Sequence, residues 1–327
     1  MTTPFNLIAI GQAGRLQYEA LLLVASWRRT NPAFAGRFFI CEPQPSALWD
    51  HDPRLPAQVR DLLQDMGAEI IPFENRHFGQ SYPHGNKIEA LTALPEQPFL
   101  FLDTDTLITG DLTRLDLDFT RPSASMRREN TWPKIELYGP DYHDIWGALY
   151  RCFDLDFDRS QDESQPLNYW QRYLYFNAGW FFHHSPQAFG ARFLDYALRI
   201  RDAAPPELEL QELHPWLDQV ALPLVIHSFG GGRPQAGAAG LDGDLTCHWR
   251  HLGLLYARES EQTIALLEAL ATTQPLRRLL RDYEPIRQLV LRNQGRRARA
   301  LFDRNAQPMK EKALRTILRR EGLWFDR

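Results

Sequence analysis

Through the first hundred residues, short apolar runs alternate with amphipathic stretches. Residues 5–10 (FNLIAI), 37–41 (RFFIC), 69–73 (EIIPF) and 99–102 (FLFL) are rich in aromatic and β-branched side chains and are bounded by Gly, Pro or charged residues. Such runs read as buried strands. Between them, residues 18–27 form a strongly apolar helical stretch. Residues 53–66 place Leu55, Val59, Leu62, Leu63 and Met66 at helical spacing before Gly67 stops the helix. Residues 86–94 make a third, short helix. The order β-α-β-α-β-α-β predicts an α/β fold with a mixed, mostly parallel central sheet and helices on both faces.

Beyond Asp111 the pattern changes. Residues 121–165 are polar, aromatic and irregular, with one helix over Tyr142–Cys152; a long irregular stretch in a compact domain is usually functional. Residues 175–183 (YFNAGWFFH) predict a strand, 189–201 an amphipathic helix, 216–222 a helix start, and 224–228 and 245–249 further strands, with a Gly-rich loop over 229–243. From about Glu259 the chain reads as helices broken at Pro275, Pro285, Gly295 and Pro308.

Composition narrows the class. Of 327 residues, 44% are hydrophobic and 24% charged, a globular balance. The start lacks a basic region ahead of a long apolar one, so it reads as a first strand rather than a signal peptide. No apolar run approaches the roughly 20 residues of a membrane span. Cys41, Cys152 and Cys247 are widely spaced, which excludes a cysteine metal motif and fits a reducing compartment, the cytoplasm. Charge is lopsided: residues 275–327 hold 15 Lys and Arg against 6 Asp and Glu, +9 in a chain of −4, so residues 1–274 carry −13. The interleaving of Arg with Leu and Ile in this tail suits a peripheral contact with the inner membrane face, a solvated bundle face, or packing on the acidic body. No recognition module supports nucleic-acid binding.

The chemistry concentrates where the fourth apolar run ends, at Asp103-Thr104-Asp105-Thr106. In an open α/β sheet ligands bind at strand ends. Alternation along a strand would point Asp103 and Asp105 the same way, giving a hard-oxygen site for Mn²⁺ or Mg²⁺ and, through the ion, for a phosphate. Two enzyme classes use this string. In haloacid dehalogenase-like phosphatases Asp103 would be the nucleophile, but that arrangement wants its strand early and a second acidic pair after a later strand. Only Asp242-Gly243-Asp244 offers such a pair, in a Gly-rich loop. In glycosyltransferases of the GT-A fold a nucleotide-binding half comes first and the D-x-D ends its fourth strand, which is the order here.

The aromatic insert adds candidates for an acceptor-side lid, with Trp146 and Tyr150 expected in the core and Trp132 in the cleft. The segment 11–15 (GQAGR) reads as a tight strand-to-helix turn from which Gln12 and Tyr18 could reach a base.

Asn86-Lys87-Ile88-Glu89-Ala90-Leu91, the FLFLDTDTLITGDL run, Phe176-Asn177-Ala178-Gly179 and Asp218-Gln219 follow one another in an order that resembles glycosyltransferase family 8, the glycogenin and galactosyltransferase-like group of GT-A enzymes. The resemblance spans residues 5–255 in outline. It implies a GT-A catalytic domain over 1–255, with a nucleotide-binding half (1–112) and an acceptor and sugar half (113–255), followed by a basic helical extension (256–327). It implies transfer of a hexose from a nucleotide sugar, UDP-linked by preference, to a hydroxyl of a glycan, a lipid-linked sugar or a protein. Asp103 and Asp105 would hold Mn²⁺ or Mg²⁺ on the donor diphosphate, with Thr104 between them in the donor-binding turn. Lys87 would meet donor phosphate, Asn177, Ala178 and Gly179 would line the sugar pocket, and Asp218 and Gln219 would bind sugar hydroxyls. The family's third metal ligand is a late His; His248 and His251 both stand near its place, and no Lys follows where the family has one, leaving Arg250 or Arg258 to substitute. Retention of anomeric configuration is the family's leaning. A GT-A-like binding protein without turnover is the non-catalytic alternative.

Overall fold

Strand β1 (Asn6–Ile10) is buried along its whole length, and its alternate residues enter two different cores. The computed structural model of the chain describes residues 4–127, 132–303 and 309–326. Leu7 and Ala9 join one apolar cluster, Ile8 and Ile10 the other. This is the signature of a sheet covered on both faces. Parallel partners flank β1: β2 (Phe38–Pro43) on one side, followed by β3 (Ala68–Phe73), and β4 (Phe99–Leu102) on the other. Strand β6 (Trp180–His183) closes the sheet antiparallel to β4, in the order β3-β2-β1-β4-β6. A two-stranded antiparallel ribbon, β5 (Thr106–Ile108) with β7 (Thr246–His248), sits beyond it.

The helices α1 (Arg15–Thr30) and α2 (Ala57–Asp65) bury Leu21, Leu23, Val59 and Leu63 in the first core. On the other face lie α3 (Asn86–Glu89), α4 (Tyr142–Cys152), α5 (Pro186–Asp202) and α6 (Leu217–Ser228). Asp141 caps α4 with a capping box, accepting from the Asp144 backbone N–H while Asp144 accepts from its own.

The C-terminal helices are not a separate appendage. α7 (Leu252–Arg258), α8 (Glu261–Thr272), α9 (Leu276–Leu280), α10 (Glu284–Ile286) with the π turn Arg287–Leu291, and α11 (Gln294–Ala300) place Leu255, Leu267, Leu280, Ile286 and Leu289 in the same cluster as α1. α12 (Glu311–Arg320) adds Leu314 and Leu318 to it. Among the described residues no helix is long and apolar enough to cross a membrane.

The structure corrects several expectations. Residues 224–228 are not a strand but the second half of α6, which runs through Pro223. The 175–183 strand is confined to β6; residues 175–178 lie outside the sheet. Trp132 does not face a cleft: it is 2% exposed and packs edge-on against Trp146, ring centroids 5.2 Å apart. Gly295 does not break a helix; it lies in the first turn of α11, where any Cβ would overlap the Tyr256 ring. The break expected at Pro308 lies outside the described residues.

Candidate functional site

Five segments converge at the C-terminal end of β4: the turn after it, α3, the loop before β6, the start of α6 and the end of β7. Strand β4 stops at Leu102, so strand alternation is not what aligns Asp103 and Asp105. The turn is pinned instead by its backbone. Asp103 N–H donates to the Gly179 carbonyl and Trp249 N–H to the Asp105 carbonyl, both at 2.9 Å. The β5–β7 pairing sets His248 opposite Thr106, next to this turn.

His248 Nε2 lies 3.0 Å from Asp105 Oδ1 and 4.0 Å from Asp103 Oδ2. One ligand atom from each of the three falls within 4.8 Å of the others. Two carboxylates and an imidazole are a donor set that could hold a divalent metal ion, and the local packing fits that use. A Cβ on residue 179 would overlap His248 Nδ1 and come 2.7 Å from Cε1; glycine is what lets the imidazole sit over the aspartates. His251 stands apart from the triad. It caps α7, accepting from Gly253 N–H at 3.1 Å, and its ring stacks on Trp324 with centroids 3.5 Å apart.

Lys87 is the buried cation of the site. Its Nζ donates to Asp103 Oδ1 at 2.7 Å and to the Ala178 carbonyl at 3.2 Å, and lies 3.4 Å from Asp218 Oδ2. Burial alone would lower its pKa; Asp103 and Asp218 outweigh that and hold it above the ordinary lysine value. It is thus not a solvated helix lysine. Ala178, whose carbonyl it uses, takes a left-handed φ of 55°, which an L-residue holds only where its surroundings fix it.

Asp218 and Gln219 open α6 and line the cleft. Asp218 is 2% exposed and accepts from the Tyr82 hydroxyl at 2.7 Å. Burial, then the Asp218 charge, push the Tyr82 phenol well above its usual pKa, so it stays a proton donor. Gln219 Oε1 accepts from the Tyr175 hydroxyl at 2.6 Å. Asn177 Oδ1 accepts from Gly179 N–H at 2.8 Å, and its amide donates to the Arg127 carbonyl.

Four expected residues, Gln12, Thr104, Ala178 and Gly179, do not line the cleft. Gln12 is buried, its Oε1 accepting from Asn86 Nδ2 at 2.8 Å. Thr104 turns inward, its Oγ1 3.4 Å from Glu19 Oε2. Glu19 is fully buried and pairs with Arg15 at 2.9 Å, and Arg15 reaches to 3.9 Å of Asp105. Tyr18 stacks on Tyr283, centroids 5.1 Å apart. Asp242 and Asp244, the second acidic pair a phosphatase would need, lie elsewhere: Asp242 accepts from Ser125 and Trp180, and Asp244 pairs with Arg114.

The cleft has a volume of about 470 Å³. Sequence reasoning missed part of its wall: His84 and Trp216, and from the C-terminal segment Glu311, Arg315, Arg319, Trp324 and Asp326. The basic pattern of that segment was visible; its place over the cleft was not, because it depends on packing across some 200 residues of chain.

Several solved glycosyltransferases are similar in structure. The galactosyltransferase LgtC, crystallised with donor and acceptor sugar analogs, is 13% identical with a TM-score of 0.47, over 84% of this chain and 99% of that one. GlyE of Streptococcus pneumoniae TIGR4 is 16% identical with a TM-score of 0.44, over 88% of this chain and 65% of that one. The bifunctional WbbM is 11% identical with a TM-score of 0.46, over 85% of this chain and 51% of that one. No curated protein matches the sequence. The family model of the Rhodobacterales glycosyltransferase domain matches residues 7–230, more than half of the chain, and the chain belongs to that family.

Proposed function

We propose that the chain transfers a hexose from a nucleotide sugar, UDP-linked, to a hydroxyl of a glycan, lipid-linked or protein acceptor, using Mn²⁺ or Mg²⁺ held by Asp103, Asp105 and His248. The observation that carries this reading is the convergence of those three side chains at the end of β4, beside the buried Lys87, in a member of a glycosyltransferase family. The resemblance to family 8 supports the UDP-linked hexose and retention of configuration.

A divalent ion in this triad supplies Lewis-acid stabilisation of the departing diphosphate. Lys87 adds a fixed positive charge that needs no reorganisation as negative charge develops, because Asp103, Asp218 and the Ala178 carbonyl already orient it. Asp218 and Gln219, each held by a tyrosine hydroxyl, present oxygens and an amide to sugar hydroxyls. Asn177 faces the cleft, while the backbone of Ala178 and Gly179 behind it holds Lys87 and the Asp103 turn. Gln12, buried and paired with Asn86, supports the end of β1 from within, and Thr104 supports the turn from beneath through Glu19. The basic C-terminal segment uses much of its charge inside the molecule. Arg296 pairs with Glu261 and Glu268, Arg299 with Glu261, and Arg315 with Glu311, which favours a folded role over a membrane contact.

Calorimetry with UDP tests the reading. The wild-type protein is expected to bind UDP in the presence of Mn²⁺ and far more weakly with EDTA, and to hydrolyse its donor slowly. Asp103→Asn and Asp105→Asn should each abolish the metal-dependent part. Equal UDP affinity with and without metal, or in these variants, would overturn it.

A further inference from the structure

A buried ion pair stands behind the two aspartates of the cleft. Glu19, in the second turn of α1, is 0% exposed, the most deeply buried carboxylate among the described residues. Arg15, one turn earlier, donates from Nη1 to both of its oxygens at 2.9 Å. The same Nη1 lies 3.9 Å from Asp105 Oδ2, within ion-pair range. Glu19 Oε2 also meets the Thr104 hydroxyl at 3.4 Å. One helix thus reaches the D-x-D turn by two arms, at the residue between the aspartates and at the second aspartate itself. Neither Arg15 nor Glu19 lines the cleft.

A pair of this kind is a poor source of stability. Taking a carboxylate and a guanidinium out of water costs about what their attraction returns, and apolar residues of similar volume often serve as well. What this pair supplies is placement. The two carboxylate oxygens of Asp105 have different neighbours: Oδ1 lies 3.0 Å from His248 Nε2, and Oδ2 lies toward Arg15. Trp249 N–H fixes the Asp105 carbonyl, which holds the backbone but not the rotation of the carboxylate. Arg15 adds that second constraint. Its own position is set by Glu19 on a helix packed into the first core, and its side chain is only 29% exposed.

We propose that Arg15, held by Glu19, is a positioning residue for Asp105: it keeps Oδ2 on the α1 side and leaves Oδ1 beside His248 for the divalent ion. The inference rests on the metal-dependent reading above and adds a residue to it. Charge alone predicts the opposite of placement, because removing a cation from behind the site would tighten the binding of another. The double variant Arg15→Gln/Glu19→Gln separates the two, since it removes one charge of each sign.

The test titrates Mn²⁺ by calorimetry into the full chain in the presence of UDP. The double variant should bind Mn²⁺ about tenfold more weakly, the lower end of the cost of removing a ligand's support, with unchanged UDP affinity in EDTA. Arg15→Lys, which keeps a cation beside Glu19, should lose less. Glu42→Gln/Arg60→Gln breaks a matched pair between β2 and α2, 2.8 Å apart with Glu42 equally sunk; it should leave Mn²⁺ affinity unchanged. Crystals of the wild type grown with Mn²⁺ should show the ion on Asp105 Oδ1 and Arg15 on Oδ2, a check that needs no variant to fold. Unchanged or tighter Mn²⁺ binding in the double variant, or an ion on Oδ2 with Arg15 turned away, would overturn the proposal. So would an equal Mn²⁺ loss in Arg15→Lys or in the Glu42 and Arg60 variant. Weaker UDP binding in EDTA would put Arg15 on the donor instead and overturn it too. A wild type that binds no Mn²⁺ beside UDP would remove the metal reading itself, and this inference with it.

Discussion

At the scale of single residues, the site depends on contacts with little slack. Gly179 is the sharpest case. Its missing side chain is what admits the His248 ring. Gly179→Ala is therefore expected to leave the fold intact, since its N–H to Asn177 and carbonyl to Asp103 are backbone contacts. It should push the imidazole off the aspartates and weaken Mn²⁺ about 10–100-fold, the usual cost of disturbing a ligand's support. Metal titration of the variant beside its circular-dichroism spectrum checks this; unchanged Mn²⁺ affinity would remove His248 from the site. Lys87 offers a second test. Lys87→Met keeps the bulk of the side chain but strips the buried charge between Asp103 and Asp218. We expect donor turnover to fall by about 10²–10³, the scale of losing one preorganised electrostatic group, with a smaller change in UDP affinity. The D-x-D pair was legible because carboxylates directly after a buried apolar run are chemically conspicuous. The inward turn of Thr104 was not, because the buried Glu19 it meets lies 85 residues away in sequence.

At the scale of elements, local pattern served well where burial and propensity agreed and failed where they parted. Strands β1 to β4 and helix α4 follow from short apolar runs and from an amphipathic turn with an acidic cap. Residues 224–228 mislead because Leu, Val and Ile after a proline look like a strand. With Leu224, Val225 and Ile226 buried in the core that covers this face of the sheet, they form helix instead. Pro223 still leaves its mark, since it has no N–H to give to the Gln219 carbonyl, one turn from the cleft. Strand β6 carries a pH dependence of its own. His183 is 1% exposed, ringed by Phe189 and Phe229, and burial lowers its pKa to about 4. The unfolded chain takes up that proton near pH 6.5 and the folded chain only near 4. Protons therefore favour unfolding inside this window: the stabilisation is complete above pH 6.5 and is lost as pH falls toward 4. By linkage the loss at pH 5 is about 2 kcal/mol. Urea unfolding at pH 7 and pH 5 should show it, and His183→Gln should flatten the difference. An equal pH dependence in the variant would move the effect elsewhere.

At the scale of the whole molecule, the question is whether the basic C-terminal helices are an addition to the catalytic body or part of it. The family resemblance implies a boundary after residue 255, a point that α7 (Leu252–Arg258) runs across. The apolar faces of the C-terminal helices enter the core that backs the sheet: Leu255, Leu267, Leu280 and Leu318 share one cluster with Leu7, Leu21 and Leu23. Tyr18 of α1 stacks on Tyr283, and α12 reaches the cleft itself. Sequence could mark the segment as basic and helical; it could not show that its arginines turn toward the acids of the same chain. A shared core predicts shared unfolding. Far-ultraviolet circular dichroism and tryptophan fluorescence, which sees Trp324 as well as Trp27 of α1, should report one coincident denaturant transition. Leu318→Ala, fully buried in α12, should then lower the stability of the entire chain by about 2–5 kcal/mol and shift both signals together. If the C-terminal helices were instead an independent unit, the same substitution would split off an early phase in the dichroism and leave the main transition in place. UDP with Mn²⁺ would then protect only the later phase, whereas a single cooperative body with the cleft at its junction should be stabilised as a whole by mass action.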